Sequence, residues 1–212
     1  MQMLHPHSGS IQQYMQVIDD PNPGRPSSCP QCLIKEPLTA HGFYSRTIVD
    51  EAFDGVIRIR RYLCQACLRT VSLIPEWSLP FMRFSISVIA RTVRVRLMKN
   101  QSWKVAAPAA PYQRGQHWVR RFAQQAEPLS LALPALTAVS AASSFKSKAL
   151  VMLQQIGWRA AHRFLFSELR MHLLGWGKSL APHGRRITIQ DASSAAEAFP
   201  QITCIDSESP SD

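Results

Sequence analysis

Between Phe43 and Ile74, apolar and polar residues alternate along the chain. FYSRTIV comes first, then VIRIRRYLC, in which Ile57, Ile59 and Leu63 alternate with Arg58, Arg60 and Tyr62, then TVSLI, which ends at Pro75. A period of two predicts three short strands, with a turn at Asp54-Gly55 between the first and second. After LPFMRFS the period becomes helical: at about 100° per residue, Ile86, Ile89, Ala90, Val93 and Leu97 share one stripe, and Arg91, Arg94, Arg96 and Lys99 lie off it. Val88 and Val95 fall on the opposite side, which predicts a helix packed on two surfaces. The stretch SWKVAA predicts a short helix broken by Pro108 and Pro111, and a longer helix is expected from Tyr112 to about Ala126, closed by Pro128.

The flanks are less periodic. Residues 1–28 hold one short helical stretch, IQQYMQVI, and then DDPNPGRPSS, whose Pro, Gly and Ser content predicts a flexible lead-in. Residues 128–144 form an Ala/Ser/Leu-rich linker. Residues 145–186 are expected to be helical, with a break near Gly157 and with Phe164, Leu165, Leu169, His172 and Leu173 facing inward, and residues 187–212 are expected to be a disordered tail. The fold class expected is α+β: a three-stranded four-cysteine ribbon over 29–80, followed by an all-α region with a helix-turn-helix-like unit at 84–127.

Charge changes this picture more than overall composition does. Hydrophobic residues make up 46% of the 212 positions, enough for a core, and no run of about 18 apolar residues is free of charge. The N-terminus has neither a basic start nor an apolar signal region, so a soluble, cytoplasmic protein is expected. The formal net charge is +10, but its distribution is regional. From Arg58 to Arg121 there are thirteen Lys/Arg against the single acid Glu76, whereas residues 1–57 hold three against six and residues 122–212 eight against seven. A one-sided basic block points to a polyanionic partner, with nucleic acid ahead of a membrane surface or an acidic protein.

The cysteines supply the candidate chemistry. Cys29-Pro-Gln-Cys32 and Cys64-Gln-Ala-Cys67 are two Cys-x-x-Cys turns separated by 31 residues, and a fifth cysteine, Cys204, stands alone. Two such turns can bring four thiolates to one tetrahedral Zn²⁺, and a site with four cysteine ligands is closed and structural. A redox pair and unligated buried thiols are the alternatives, although neither turn opens an amphipathic helix as a thioredoxin-like motif would.

RRYLCQACLRTVSLIP resembles the second knuckle of the zinc ribbons of bacterial insertion-sequence transposases and related mobile-element proteins, and CPQC with HGFYSR resembles the first knuckle and the strand after it. The resemblance covers about residues 29–80. It departs at Leu33 and Leu68, where the family commonly has glycine at a position that often takes a left-handed backbone. In such proteins a helix-turn-helix follows the ribbon; SWKVAAPAAPYQRGQHWVRRF is similar to that layout, with WVRRF matching the end of the recognition helix. The resemblance implies one structural Zn²⁺, double-stranded DNA as partner, and a transposase or a second copy of the chain as further partners.

The residues themselves agree. On a helical wheel Gln113, Gln116, His117, Arg120 and Gln124 share one face, and Tyr112, Trp118, Val119, Phe122 and Ala126 share the other. Gln can pair with adenine and Arg with guanine in a major groove, and Arg91, Arg94, Lys104, Arg114 and Arg121 are candidates for further DNA contact. The bland alternative is an ordinary surface helix on a zinc-stapled interaction protein that docks on another protein or on RNA. No enzyme is expected: between Glu76 and Asp191 the only acids are Glu127 and Glu168, too few to hold the metal pair of a transposase core, and no nucleophile elbow or phosphate loop is present. No small-molecule substrate and no membrane partner is expected either.

Overall fold

The computed structural model describes all residues except 6, 8, 21–23 and 176–212, so the expected tail at 187–212 and the end of the helical region at 145–186 lie outside the described residues. Among the described residues the backbone forms four strands and six α-helices: β1 (Gln2–His5), α1 (Ile11–Val17), β2 (Thr39–Asp50), β3 (Phe53–Leu63), β4 (Thr70–Pro75), α2 (Ile86–Met98), α3 (Trp103–Ala106), α4 (Tyr112–Ala132), α5 (Phe145–Ile156) and α6 (Trp158–Ser167). The class is α+β.

The sheet has four strands, in the order β1-β4-β3-β2. The expected β2–β3–β4 meander is antiparallel, and β1 adds to β4 in parallel, with Gln2 opposite Ser72 and His5 opposite Pro75. Residues 1–28 are therefore not merely a lead-in. Ser10 caps α1 and Gln13 completes a capping box. Tyr14, fully buried, joins Ile11, Ile18, Ile48, Ile57, Ile59, Ile74 and Trp77 in one core and donates its hydroxyl to the Arg58 carbonyl at 2.9 Å. Composition missed this because the residues that bury Tyr14 from the sheet side, Ile48, Ile57, Ile59, Ile74 and Trp77, are at least 34 residues away in sequence.

The hairpin turn also differs from expectation. It falls at Glu51-Ala52, and Asp54-Gly55 lies inside β3, with Gly55 opposite Ile48. Glycine suits that site because a Cβ would lie 3.0 Å from the ring of Phe53. The alternation of Ile57 and Ile59 with polar residues holds, but Arg60 and Tyr62 are buried as well, because the second face is covered at its end near the cysteine turns, while Val56 and Arg58 on that same face stay exposed. Arg60 donates to the carbonyls of Ile18 and Asp19, and both Arg58 and Arg60 stack over Phe43, at 3.9 and 4.0 Å.

Ser85 caps α2 and also donates to Asp50, tying the helix start to the end of β2. Ile86, Ile89 and Val93 are buried on one side, and Val88, Thr92 and Val95 are buried too, so α2 packs on two surfaces. The helix starting at Tyr112 does not stop at Pro128 but runs through it to Ala132. An internal proline costs about 3 kcal/mol. Burial of Leu129, Ala132 and Leu133 immediately beyond it offsets that cost. Gly157, at φ 87°, separates α5 from α6. The largest core joins α2, α4, α5, α6 and the segment to Leu174, and contains Trp118, Phe122, Leu153, Phe164, Leu165, Leu169 and Leu173. No described helix is long and apolar enough to cross a membrane.

Candidate metal centre and nucleic-acid interface

The two Cys-x-x-Cys turns are built alike. In the first, Leu33 N donates to Cys29 O at 2.9 Å and Cys29 N to Ile34 O at 3.0 Å; in the second, Leu68 N donates to Cys64 O at 2.9 Å and Cys64 N to Arg69 O at 3.0 Å. Both turns close through a left-handed residue, Leu33 at φ 62° and Leu68 at φ 56°. The conformation that usually selects glycine is thus kept with leucine, at a cost of about 1 kcal/mol each. These side chains are 76% and 72% exposed, so neither recovers the cost by burial.

All four sulfurs lie within 4.8 Å of one another. Cys29 Sγ is 3.7 Å from Cys67 Sγ, and Cys32 Sγ is 3.7 Å from Cys64 Sγ. A tetrahedron with metal–sulfur bonds of about 2.3 Å has edges of about 3.8 Å, whereas a disulfide needs about 2.05 Å. The spacing fits four ligands around one ion, and all four cysteines are free of disulfides. A small core of Leu38, Tyr62, Val71 and Leu73 supports the cluster, with Met3 and Ile34 packed against it.

The thiols are unequal. Backbone N–H groups of Cys32 and then Gln31 lower Cys29 to about 6, and Gln31 N donates to its sulfur at 3.4 Å. Burial, followed by the neighbouring thiols, raises Cys67 to about 12. Four thiolates so close together cannot all ionise without a cation among them, and a divalent ion at their centre would supply the missing charge. The donor set is soft and the four sulfurs can converge on one point, so these residues can hold a metal.

The basic block continues into α2, α3 and α4. Gly115, inside α4, is a contact point: a Cβ there would lie 3.2 Å from the Trp103 ring and 3.3 Å from Thr92 Cγ2. Its absence lets α4 approach both α2 and α3. Arg96 covers the Trp103 ring at 4.8 Å, and Ala106 and Ala107 are buried in the turn.

On α4, Gln113, Arg114, Gln116, Arg120 and Gln124 are exposed, and Trp118, Phe122 and Ala126 are buried. Tyr112 is 53% exposed, so it does not join the apolar face as expected. His117 is half-buried and is held below its usual pKa by burial and by the cations of Arg121, Arg120 and Arg114. Arg94 and Lys104 are exposed. Two other candidates have protein partners. Arg91 lies 3.6 Å from Glu51, and Arg121 donates to the carbonyls of Leu174 and Gly175. Sequence reading also missed Arg46, largely buried, whose guanidinium holds the loop after β4 through the carbonyls of Leu79 and Met82. No periodic signal marks such a residue, because its partners are loop carbonyls far along the chain.

Over residues 29–109 the chain matches a family described as a domain of unknown function, DUF6431. That span takes in both cysteine turns, α2 and α3 and ends before α4. No curated protein and no solved structure matches the chain.

Proposed function

We propose that the chain is a zinc-stabilised DNA-binding protein in which one Zn²⁺ on Cys29, Cys32, Cys64 and Cys67 is structural and α4 reads duplex DNA. The observation that carries this reading is the outer face of α4, where Gln113, Arg114, Gln116, Arg120 and Gln124 are exposed on a helix whose apolar face is buried. Glutamine and arginine on one face can address base edges, and the surrounding cations can address phosphates. Arg94 and Lys104, both exposed, can add phosphate contacts, whereas Arg121 is engaged with the Leu174 and Gly175 carbonyls and Arg91 shares a surface ion pair with Glu51. The chemistry proposed is binding alone, without catalysis, as in an accessory or regulator of a mobile element.

The test is duplex DNA affinity of the metal-loaded protein across a salt series. Affinity should fall steeply with salt, and Arg114→Ala with Arg120→Ala should reduce the slope of log K against log salt by about 2. No duplex binding at low salt overturns the DNA reading. Metal analysis giving other than one zinc per chain overturns the zinc assignment separately.

A further inference from the structure

The described chain ends against α4. Arg121 donates through Nε to the Leu174 carbonyl at 2.7 Å and through Nη2 to the Gly175 carbonyl. Gly175 has φ 70°, and a Cβ on it would lie 2.6 Å from Nε2 of Gln125 on the same helix. Glycine therefore meets both a left-handed backbone and a close approach here, and the chain is pinned to α4 at the point where it leaves the described residues.

Beyond Gly175 the charges segregate along the sequence. Residues 176–190 carry Lys178, Arg185 and Arg186 and no acid, whereas residues 191–212 carry Asp191, Glu197, Asp206, Glu208 and Asp212 and no Lys or Arg. The outer face of α4 has the opposite sign to this acidic end, with Arg114 and Arg120 exposed and no acid on the helix before Glu127.

We infer that the acidic segment 191–212 docks on the outer face of α4 and competes there with DNA. The docking rests on the Arg121 clamp and the charge pattern, and only the competition rests on the proposed DNA-binding reading. Reach is ample. The sixteen residues from Gly175 to Asp191 span up to about 55 Å when extended. The helix from Gln113 to Gln124 covers only about 17 Å. Tethering sets an effective concentration on the order of 1 mM, so an intrinsic affinity of only about 0.1 mM covers the face most of the time and weakens DNA binding about tenfold. The intervening cationic residues lack the sign to dock, which leaves the distal acids as the occupant. Because the attraction is between exposed charges, salt screens it.

The lone Cys204 lies inside this segment and the other four cysteines form the metal cluster, so the metal-loaded full chain can carry a spin label at Cys204 alone. At low salt the label should broaden the amide signals of Gln113–Gln124, and about 0.5 M salt should restore them. Sharp signals there at low salt overturn the docking. The same full chain with Asp191→Asn, Glu197→Gln, Asp206→Asn, Glu208→Gln and Asp212→Asn should bind duplex DNA about tenfold more tightly at low salt, and the gain should vanish as salt rises. Equal affinity of the two chains overturns the competition. Broadening in a chain that binds no duplex supports the docking while the DNA reading fails.

Discussion

Two buried histidines in the helical core set a pH limit on stability. His162 is fully buried, lies 5.6 Å from the ring of Phe166, and has no hydrogen-bond partner on either ring nitrogen among the described residues. Burial first, and then the nearby His172, lowers its pKa to about 3. In His172, Nδ1 accepts from Leu174 N at 3.1 Å, which leaves Nε2 to donate to the Pro80 carbonyl at 3.4 Å; this tautomer is neutral, and burial lowers the pKa to about 4. Both folded values lie below the unfolded value of about 6.5, so between them the unfolded chain binds more protons. Stability is fully present above about pH 6.5 and is lost as pH falls toward 4, by up to about 1.4 kcal/mol per pH unit for each histidine. His162→Leu should roughly halve the loss between pH 6.5 and 4.5, a difference of about 2 kcal/mol in urea unfolding relative to the parent. An unchanged pH slope would show that His162 protonates in the folded state. At this same scale Leu33 and Leu68 were legible: the knuckle resemblance marks their positions as left-handed, and the backbone is left-handed at both.

Among the elements, Gly115 shows how a local rule and a packing rule oppose each other. Glycine inside a helix costs about 1 kcal/mol relative to alanine. Here, however, any side chain meets the Trp103 ring and Thr92 at 3.2–3.3 Å. Alanine gains in helix propensity about what it loses in crowding, so leucine is the sharper probe. Gly115→Leu should lower stability by about 1–3 kcal/mol by forcing α4 away from α2 and α3, and should weaken DNA binding by more than the loss of folded protein explains. Urea unfolding and duplex titration of the folded fraction check the two effects; unchanged stability would mean that the helices do not meet at Gly115. The sequence was legible at this scale where the signal was local. The counter-stripe of α2 and the inward residues from Phe164 to Leu173 follow from periodicity and the break from Gly157 itself; these are found, whereas Ala90 and Leu97 of the expected α2 stripe are only half-buried. It was not legible where partners are distant. β1 and α1 are held by β4 and by Ile48, Ile57 and Trp77 rather than by their own composition. Pro128 marks a helix end by local rule, and only the apolar residues packed beyond it carry α4 onward.

For the whole molecule, the cysteine end and the helical core are supported by different residues, and this determines what chelation should do if the proposed zinc is bound. The cysteine cluster rests on Leu38, Tyr62, Val71 and Leu73, whereas the helices share a much larger core running from Leu79 to Leu174. Between them, Ile48, Ile57, Ile59, Ile74 and Trp77 anchor the far half of the sheet on α1, and Ser85 ties β2 to α2. In the sheet, the pairs Thr39 with Leu63 and Leu63 with Thr70 stand next to the knuckles, and Gln2 pairs with Ser72 close by. With the proposed ion removed, four clustered thiols and two left-handed leucines are left with nothing to offset their cost. The small supporting core has too few residues to hold the hairpin end alone. Chelation should therefore fray the sheet from the knuckle end and release β1, while α2, α4, α5 and α6 stay folded. Hydrogen exchange should rise over residues 39–44 and 62–72 and at Gln2–Leu4, and stay low at Ile48, Val49, Ile89, Val93 and Phe122. Helical circular dichroism should change little. Loss of the helices together with the knuckles would make the metal a keystone of one cooperative unit, and unchanged exchange at 62–72 would mean that the thiol cluster needs no ion.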